Sequence, residues 1–140
     1  MLKVIVNTSV FIAGILSSNS ESSSFQLLEA WERGRLTLVI SPQLLRELVV
    51  VLLRRGILEA DLEEFVETIT LVALHIPGAY ETAMLDDIDP DDNKFLAAAY
   101  EAKADFLISL DSDLLNLKFS HGTQIVTPAA FLDLLADGRT

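Results

Sequence analysis

The chain has 140 residues, 51% of them hydrophobic, a net charge of −11 and no cysteine. A core is available, so global disorder is excluded, and so are disulfides, thiolate metal sites and thiol chemistry. The acidic balance argues against a general polyanion-binding surface, and no apolar run reaches the roughly 18 residues that a membrane span needs.

In chain order, residues 2–6 read as a short buried strand and 10–16 as a helix. The apolar start, MLKVIVNTSVFIAGIL, is interrupted by Asn7, Thr8 and Ser9 and lacks a basic leading region, so it reads as strand and helix rather than a signal peptide. SSNSESSS at 17–24 is a polar loop. Residues 25–33 form an amphipathic helix with Leu28 and Trp31 on one face and Gly34 beyond its end. Residues 36–40 are a second strand. Ser41 then caps a helix that starts at Pro42 and runs to about Arg54. That helix is apolar nearly all the way round and is expected to be buried on more than one side.

Residues 61–73 carry apolar side chains at 62, 65, 66, 69, 72 and 73, a helical period, and 74–76 suggest a short strand. DDIDPDD at 86–92 is a dense acidic turn in which Asp89 can cap a helix from Pro90 to about Lys103. Residues 106–109 form a strand, 112–117 a short helix and 124–126 a last strand. Thr127–Pro128 starts a final helix ending near Ala136. Alternating strands and helices over one domain, residues 1–140, predict an α/β architecture with a central parallel sheet covered by helices on both faces.

Ligands of open parallel sheets bind at the carboxyl ends of the strands. Asn7, Thr8 and Ser9 follow the first strand, and Asp111 and Asp113 follow the strand at 106–109. Glu47 lies about two turns into its apolar helix. Asp92, in the first turn of its own helix, shares a face with Phe95, Leu96 and Ala99. A carboxylate on a buried face needs pairing, protonation or a metal. Few basic residues lie near these acids in sequence, and a hard cation with oxygen ligands, Mg²⁺ or Mn²⁺, would neutralise them and support phosphodiester hydrolysis.

Each residue also has a structural reading. Asp89 reads as a cap. Asp92 could be the acid of a capping arrangement, and Asp111 or Asp113 could cap the helix at 112–117. Glu47 could pair with Arg46 or Arg54, and Asn7 could bond its own backbone in a turn. Asp86, Asp87 and Asp91 read as a solvated turn. His75 and His121 have no partner at metal-ligand spacing, and no histidine is placed to activate Thr8 or Ser9.

Four segments carry a resemblance: VIVNTSVFIAGI, LVISPQLLRELVVVL, DPDDNKFLAAAYEAKADFLISLDSDLL and IVTPAAFLDLL. Together they cover essentially the whole chain, and it resembles the PIN-domain family, in particular the VapC-like toxins of toxin–antitoxin systems. The resemblance implies a three-layer nuclease fold and an acidic quartet that binds Mg²⁺ or Mn²⁺ and cleaves RNA. It also implies an antitoxin partner. A homodimer is expected because the helix from Pro42 to Arg54 is apolar on too many sides for a peripheral helix of a monomer, and proteins of this kind commonly pair. The absence of cysteine fits a cytoplasmic location. The quartet's last three acids fall on Glu47, Asp92 and Asp111, with Asp113 at a further commonly acidic position. The first acid falls on Asn7, which departs from the pattern: an amide oxygen can ligate a cation but brings no charge. The expected catalytic residues are Asn7, Glu47, Asp92 and Asp111, and the expected metal ligands are Asn7, Asp92, Asp111 and Asp113. RNA contacts are expected from the basic stretch, at Arg46, Arg54 and Arg55. A catalytically weak binding protein and an oligomeric scaffold with purely structural acids are the competing readings.

Overall fold

The computed structural model describes residues 1–80 and 90–138, with the side chains of Pro90 and Asp91 left aside. The acidic turn at 86–89 and the capping role of Asp89 lie outside these residues, as does the side chain of Asp91.

The strands are β1 (Lys3–Val6), β2 (Thr37–Ile40), β3 (Leu74–His75), β4 (Phe106–Ile108), β5 (Phe119–Ser120) and β6 (Thr123–Val126). The helices are α1 (Thr8–Ile15), α2 (Ser23–Glu32), α3 (Pro42–Arg54), α4 (Glu59–Val72), α5 (Pro90–Ala102), α6 (Ser112–Leu117) and α7 (Pro128–Ala136). The sheet runs in the order β3-β2-β1-β4-β6-β5. All neighbours are parallel except β5 and β6, which are antiparallel. The expected all-parallel sheet therefore gains an antiparallel edge. The link between β5 and β6 is the pair His121–Gly122, with φ of 47° and 91°. Left-handed backbone at both positions of a two-residue turn is what a tight hairpin requires.

Val4, Ile5 and Val6 are all buried, as are Leu38, Val39 and Ile40. Neighbouring residues of a strand point to opposite faces, so both faces of the central strands are covered. Hydroxyl caps start the helices where serine or threonine precedes the first turn. Ser41 Oγ accepts from Leu44 N–H at 3.2 Å, and Thr127 Oγ1 from Ala130 N–H at 3.1 Å. Each such cap stabilises its helix by about 1 kcal/mol.

α1 lies so close to α2 that a Cβ on Gly14 would meet the Ser24 carbonyl oxygen at 2.8 Å. Beside this contact Phe65 stands edge-on to Phe11 and Trp31, with ring centroids 5.8 and 6.4 Å apart. The indole N–H of Trp31 is buried there with no hydrogen-bond acceptor among the described residues.

α3 departs from expectation. Its buried residues are Leu44, Leu48 and Leu52, one row at a four-residue spacing, while Val50 and Leu53 are exposed. The helix is apolar on several sides and fully buried on one. Leu58, Leu71, Val72 and Leu74 are exposed nearby in the chain. An open groove of about 530 Å³ runs along α4, lined by Val49, Leu62, Val66 and Leu71. Among the described residues no helix is long and apolar enough to cross a membrane.

Candidate active site

From β1 the chain builds outward to β2 and β3, then returns to place β4 on the other side of β1. The connection reverses direction between β1 and β4, and the crevice at the carboxyl ends of those strands is where an open parallel sheet takes ligands. The residues that end β1 and β4 meet there. Val6 is in register with Ile108, so Asn7 and Ser109 follow side by side.

Asn7 is buried, 5% exposed. Its Oδ1 accepts the Ser9 N–H at 3.1 Å and caps α1. Its Nδ2 donates to Ser109 Oγ at 3.0 Å. The turn-residue reading of Asn7 thus holds, whatever further role it has. Capping it from position 7 starts α1 at Thr8, two residues before the expected start.

Asp111 caps α6, its Oδ1 accepting the Asp113 N–H at 2.9 Å. Asp92 lies in the first turn of α5 and is buried, as are Phe95, Leu96 and Ala99 on the same face. Carboxylate oxygens of Asp92, Asp111 and Asp113 all lie within 4.8 Å of one another. Two helices thus direct their amino-terminal turns at one cluster. Their dipoles favour negative charge there but do not cancel the repulsion among three carboxylates. The donor set is all oxygen, graded from buried Asp92 through half-buried Asp111 to exposed Asp113. Such a set fits a hard divalent cation with one open, solvated side.

Glu47 is not part of this group. Its Oε2 is enclosed and lies 3.0 Å from Lys94 Nζ, as an ion pair rather than a well-angled hydrogen bond. The partner is therefore neither Arg46 nor Arg54, as the sequence suggested, but a lysine two residues beyond Asp92 on α5. The expectation that too few basic groups were near enough to neutralise the acids is corrected at this one position. Local sequence carries no sign of the pair, since α4 and β3 lie between its members.

Arg46, Arg54 and Arg55 are exposed, and none forms an ion pair among the described residues. They differ in place. α3 leaves the site end of β2 and runs away from it, so its last turn, with Arg54 and Arg55, is about 18 Å of helix from Pro42. Arg46 is a single turn in. His75 bonds the Thr70 carbonyl oxygen at 3.1 Å, and His121 sits in the hairpin turn edge-on to Tyr100. The sequence pattern places Ser109 only as the last residue of a strand. It lies one residue past β4 and is fully buried, with Oγ bonded to Asn7 and to the Asp111 N–H at 2.9 Å. A hydroxyl two residues before an acid, at the end of a buried strand, was the available signal.

The sequence profile of the PIN domain matches residues 3–113. The chain belongs to the PIN-domain family. The match runs from β1 into α6 and takes in Asn7, Glu47, Asp92, Asp111 and Asp113. PIN domains are nuclease-type folds, and the mostly parallel six-stranded sheet is the one this family implies. No curated protein matches the chain.

Proposed function

We propose that this PIN domain is a Mg²⁺- or Mn²⁺-dependent endoribonuclease, the toxin member of a toxin–antitoxin pair. The observation that carries the proposal is the convergence of the Asp92, Asp111 and Asp113 carboxylates at the β1–β4 crevice. These three residues would hold the cation, with Asn7 at its rim. A bound dication would lower the pKa of a water and offset charge on the phosphate in a phosphodiester hydrolysis. Asp92, the most buried of the three, anchors the set from α5, and exposed Asp113 leaves the solvent side open to RNA. Glu47, outside the three-carboxylate cluster and with its charge offset by Lys94, would complete the catalytic group from the α3 flank. Arg46, and farther off Arg54 and Arg55, would meet the RNA backbone.

The test is cleavage of a mixed RNA pool across a Mn²⁺ and Mg²⁺ titration, with Asp92→Asn as control. Metal-dependent cleavage that is lost in the control is the expected outcome. Cleavage that persists in chelator, or in Asp92→Asn, would sink the proposal.

A second reading rests on Asn7. An amide stands where the resemblance places a carboxylate, and both of its polar atoms are engaged in holding the fold. On that reading the protein binds RNA or a protein partner and cleaves weakly or not at all. RNA binding without cleavage at any metal concentration would decide for it.

The proposal further includes a single domain over residues 1–140, a cytoplasmic setting, an antitoxin protein as partner and a homodimer. The dimer is supported by the exposed apolar residues of α3, α4 and β3, since large exposed apolar patches mark contacts. Sedimentation at micromolar concentration should give about twice the 15.4 kDa chain mass, and a monomer alone would contradict it.

A further inference from the structure

The orientation of the Asn7 side chain is fixed by its neighbours. The Ser9 N–H can only donate, so the atom 3.1 Å from it is the amide oxygen. The amide nitrogen therefore faces Ser109 Oγ at 3.0 Å, and it too can only donate. Ser109 Oγ also accepts the Asp111 N–H at 2.9 Å. A hydroxyl has two acceptor lone pairs and one proton, so both acceptor positions of Ser109 are filled. Asp111 extends the series, because its Oδ1 receives the Asp113 N–H at 2.9 Å.

The result is a continuous hydrogen-bonded line from the first turn of α1 through Asn7, Ser109 and Asp111 to Asp113. It supports two of the three converging carboxylates. Residues 109–111 lie between β4 and α6, and the connection is anchored at its two ends, by the Ser109 N–H on the Val126 carbonyl oxygen at 3.0 Å and by the Leu115 N–H on the Asp111 carbonyl oxygen at 2.9 Å. Between those anchors, the bond from the Asp111 N–H to the buried Ser109 hydroxyl, itself held by Asn7 from the end of β1, fixes the turn on which the Asp111 side chain is mounted.

We propose that Ser109 is a positioning residue of the cation site, and that Asn7 is the clamp that holds it rather than a metal ligand. With the amide in place, the Ser109 hydroxyl is locked as an acceptor, the Asp111 turn is held against β4, and Asp111 and Asp113 are kept facing Asp92. The proposal rests on the cation-binding reading, which the test separates from it.

The experiment measures Mn²⁺ affinity by calorimetry and by the Mn²⁺-induced rise in Tm. The proteins are the unaltered chain, Ser109→Ala, Ser109→Thr, Asn7→Ala and the Asn7→Ala/Ser109→Ala double variant. Ser109→Ala should weaken Mn²⁺ binding about 10-fold, as loss of hydrogen-bond support behind a metal ligand does. Ser109→Thr keeps the hydroxyl and should bind within about 3-fold of the unaltered chain, well inside that loss. Asn7→Ala should match Ser109→Ala, and the double variant should be no worse than the weaker single, because links in one line are not additive. A serine that only stabilises the fold would lower the metal-free Tm and leave Mn²⁺ affinity unchanged. That result, or strictly additive singles, overturns the proposal. Should Ser109→Ala fail to fold, a folded Ser109→Thr that has lost Mn²⁺ affinity overturns it as well. An unaltered chain that binds no Mn²⁺ refutes the cation reading and this inference together. Normal binding left intact in Ser109→Ala refutes this inference alone.

Discussion

The ends of β1 and β4 solve the same local problem with different charges. Each strand is followed by an Asx residue that caps a helix through the backbone N–H two residues on: Asn7 to Ser9 at 3.1 Å, Asp111 to Asp113 at 2.9 Å. The cap needs only an oxygen at that distance, and an amide and a carboxylate both provide it. Beyond the cap the two ends diverge. Asp111 adds a negative charge to a cluster of three carboxylates, whereas Asn7 adds a donor that engages Ser109. Folding therefore tolerates either residue at either end, while the electrostatics of the crevice do not. Exchanging amide and carboxylate should change chemistry far more than stability.

The largest effect should come from making the β4 end resemble the β1 end. Asp111→Asn keeps the cap and the shape and removes one of three charges. Mn²⁺ affinity and any RNA cleavage should fall by more than about 100-fold, beyond the range seen for changes behind metal ligands, and the metal-free Tm should not fall. A Tm drop of about 10 °C without metal would show that the charge also serves the fold, and the comparison would fail.

The reverse exchange should be next in size. Asn7→Asp replaces the amide donor by an acceptor to which the Ser109 hydroxyl can donate while it still accepts the Asp111 N–H, so the line is kept and the added charge should strengthen Mn²⁺ binding by about 10-fold or more and raise cleavage. Without metal the variant should melt about 3–5 °C lower, a change of roughly 1 kcal/mol, because an acid is added near a repulsive cluster. With saturating Mn²⁺ the order should invert, since a ligand of the folded state stabilises it by mass action. Equal melting curves and equal cleavage for both proteins would mean that the missing charge at position 7 is immaterial.

Truncation tests the shared half of the comparison. Asn7→Ala and Asp111→Ala each delete a cap, and each should cost about 1 kcal/mol. Asn7→Ala should cost more, up to about 3 kcal/mol in all, because a buried partner is left behind at Ser109. Denaturant melts in chelator would measure both, and a cheaper Asn7→Ala would reverse the ranking. The smallest effect belongs to the arginines. Arg46→Ala should reduce the salt slope of RNA binding by about 1. The pair Arg54→Ala/Arg55→Ala, a helix length away, should change it less, and the opposite order would move the RNA path to the far end of α3.

Much of this arrangement was legible in the chain. Ser41–Pro42 and Thr127–Pro128 marked α3 and α7 because a hydroxyl cap followed by proline has one good use. Asp92 was placed on a core-facing side by its spacing from Phe95, Leu96 and Ala99, and it is buried there. What escaped were properties of tertiary position. Apolar residues all round α3 suggested burial on several sides, but composition does not say which sides other elements will cover. The two-residue strand β5 is too short to show a period. The Glu47–Lys94 pair and the Asn7–Ser109–Asp111 line join residues brought together by the sheet order β2-β1-β4, which local pattern does not specify.

The buried indole of Trp31 has a practical consequence. It is the only tryptophan in the chain, and it sits against Phe65, with its N–H offered no acceptor among the described residues. An indole in such dry surroundings emits at shorter wavelength than one in water, so unfolding should shift the emission to the red with no other tryptophan to obscure it. The protein thus carries its own optical label in the core. It reports whether the domain is folded without touching the residues whose exchange it would be used to judge.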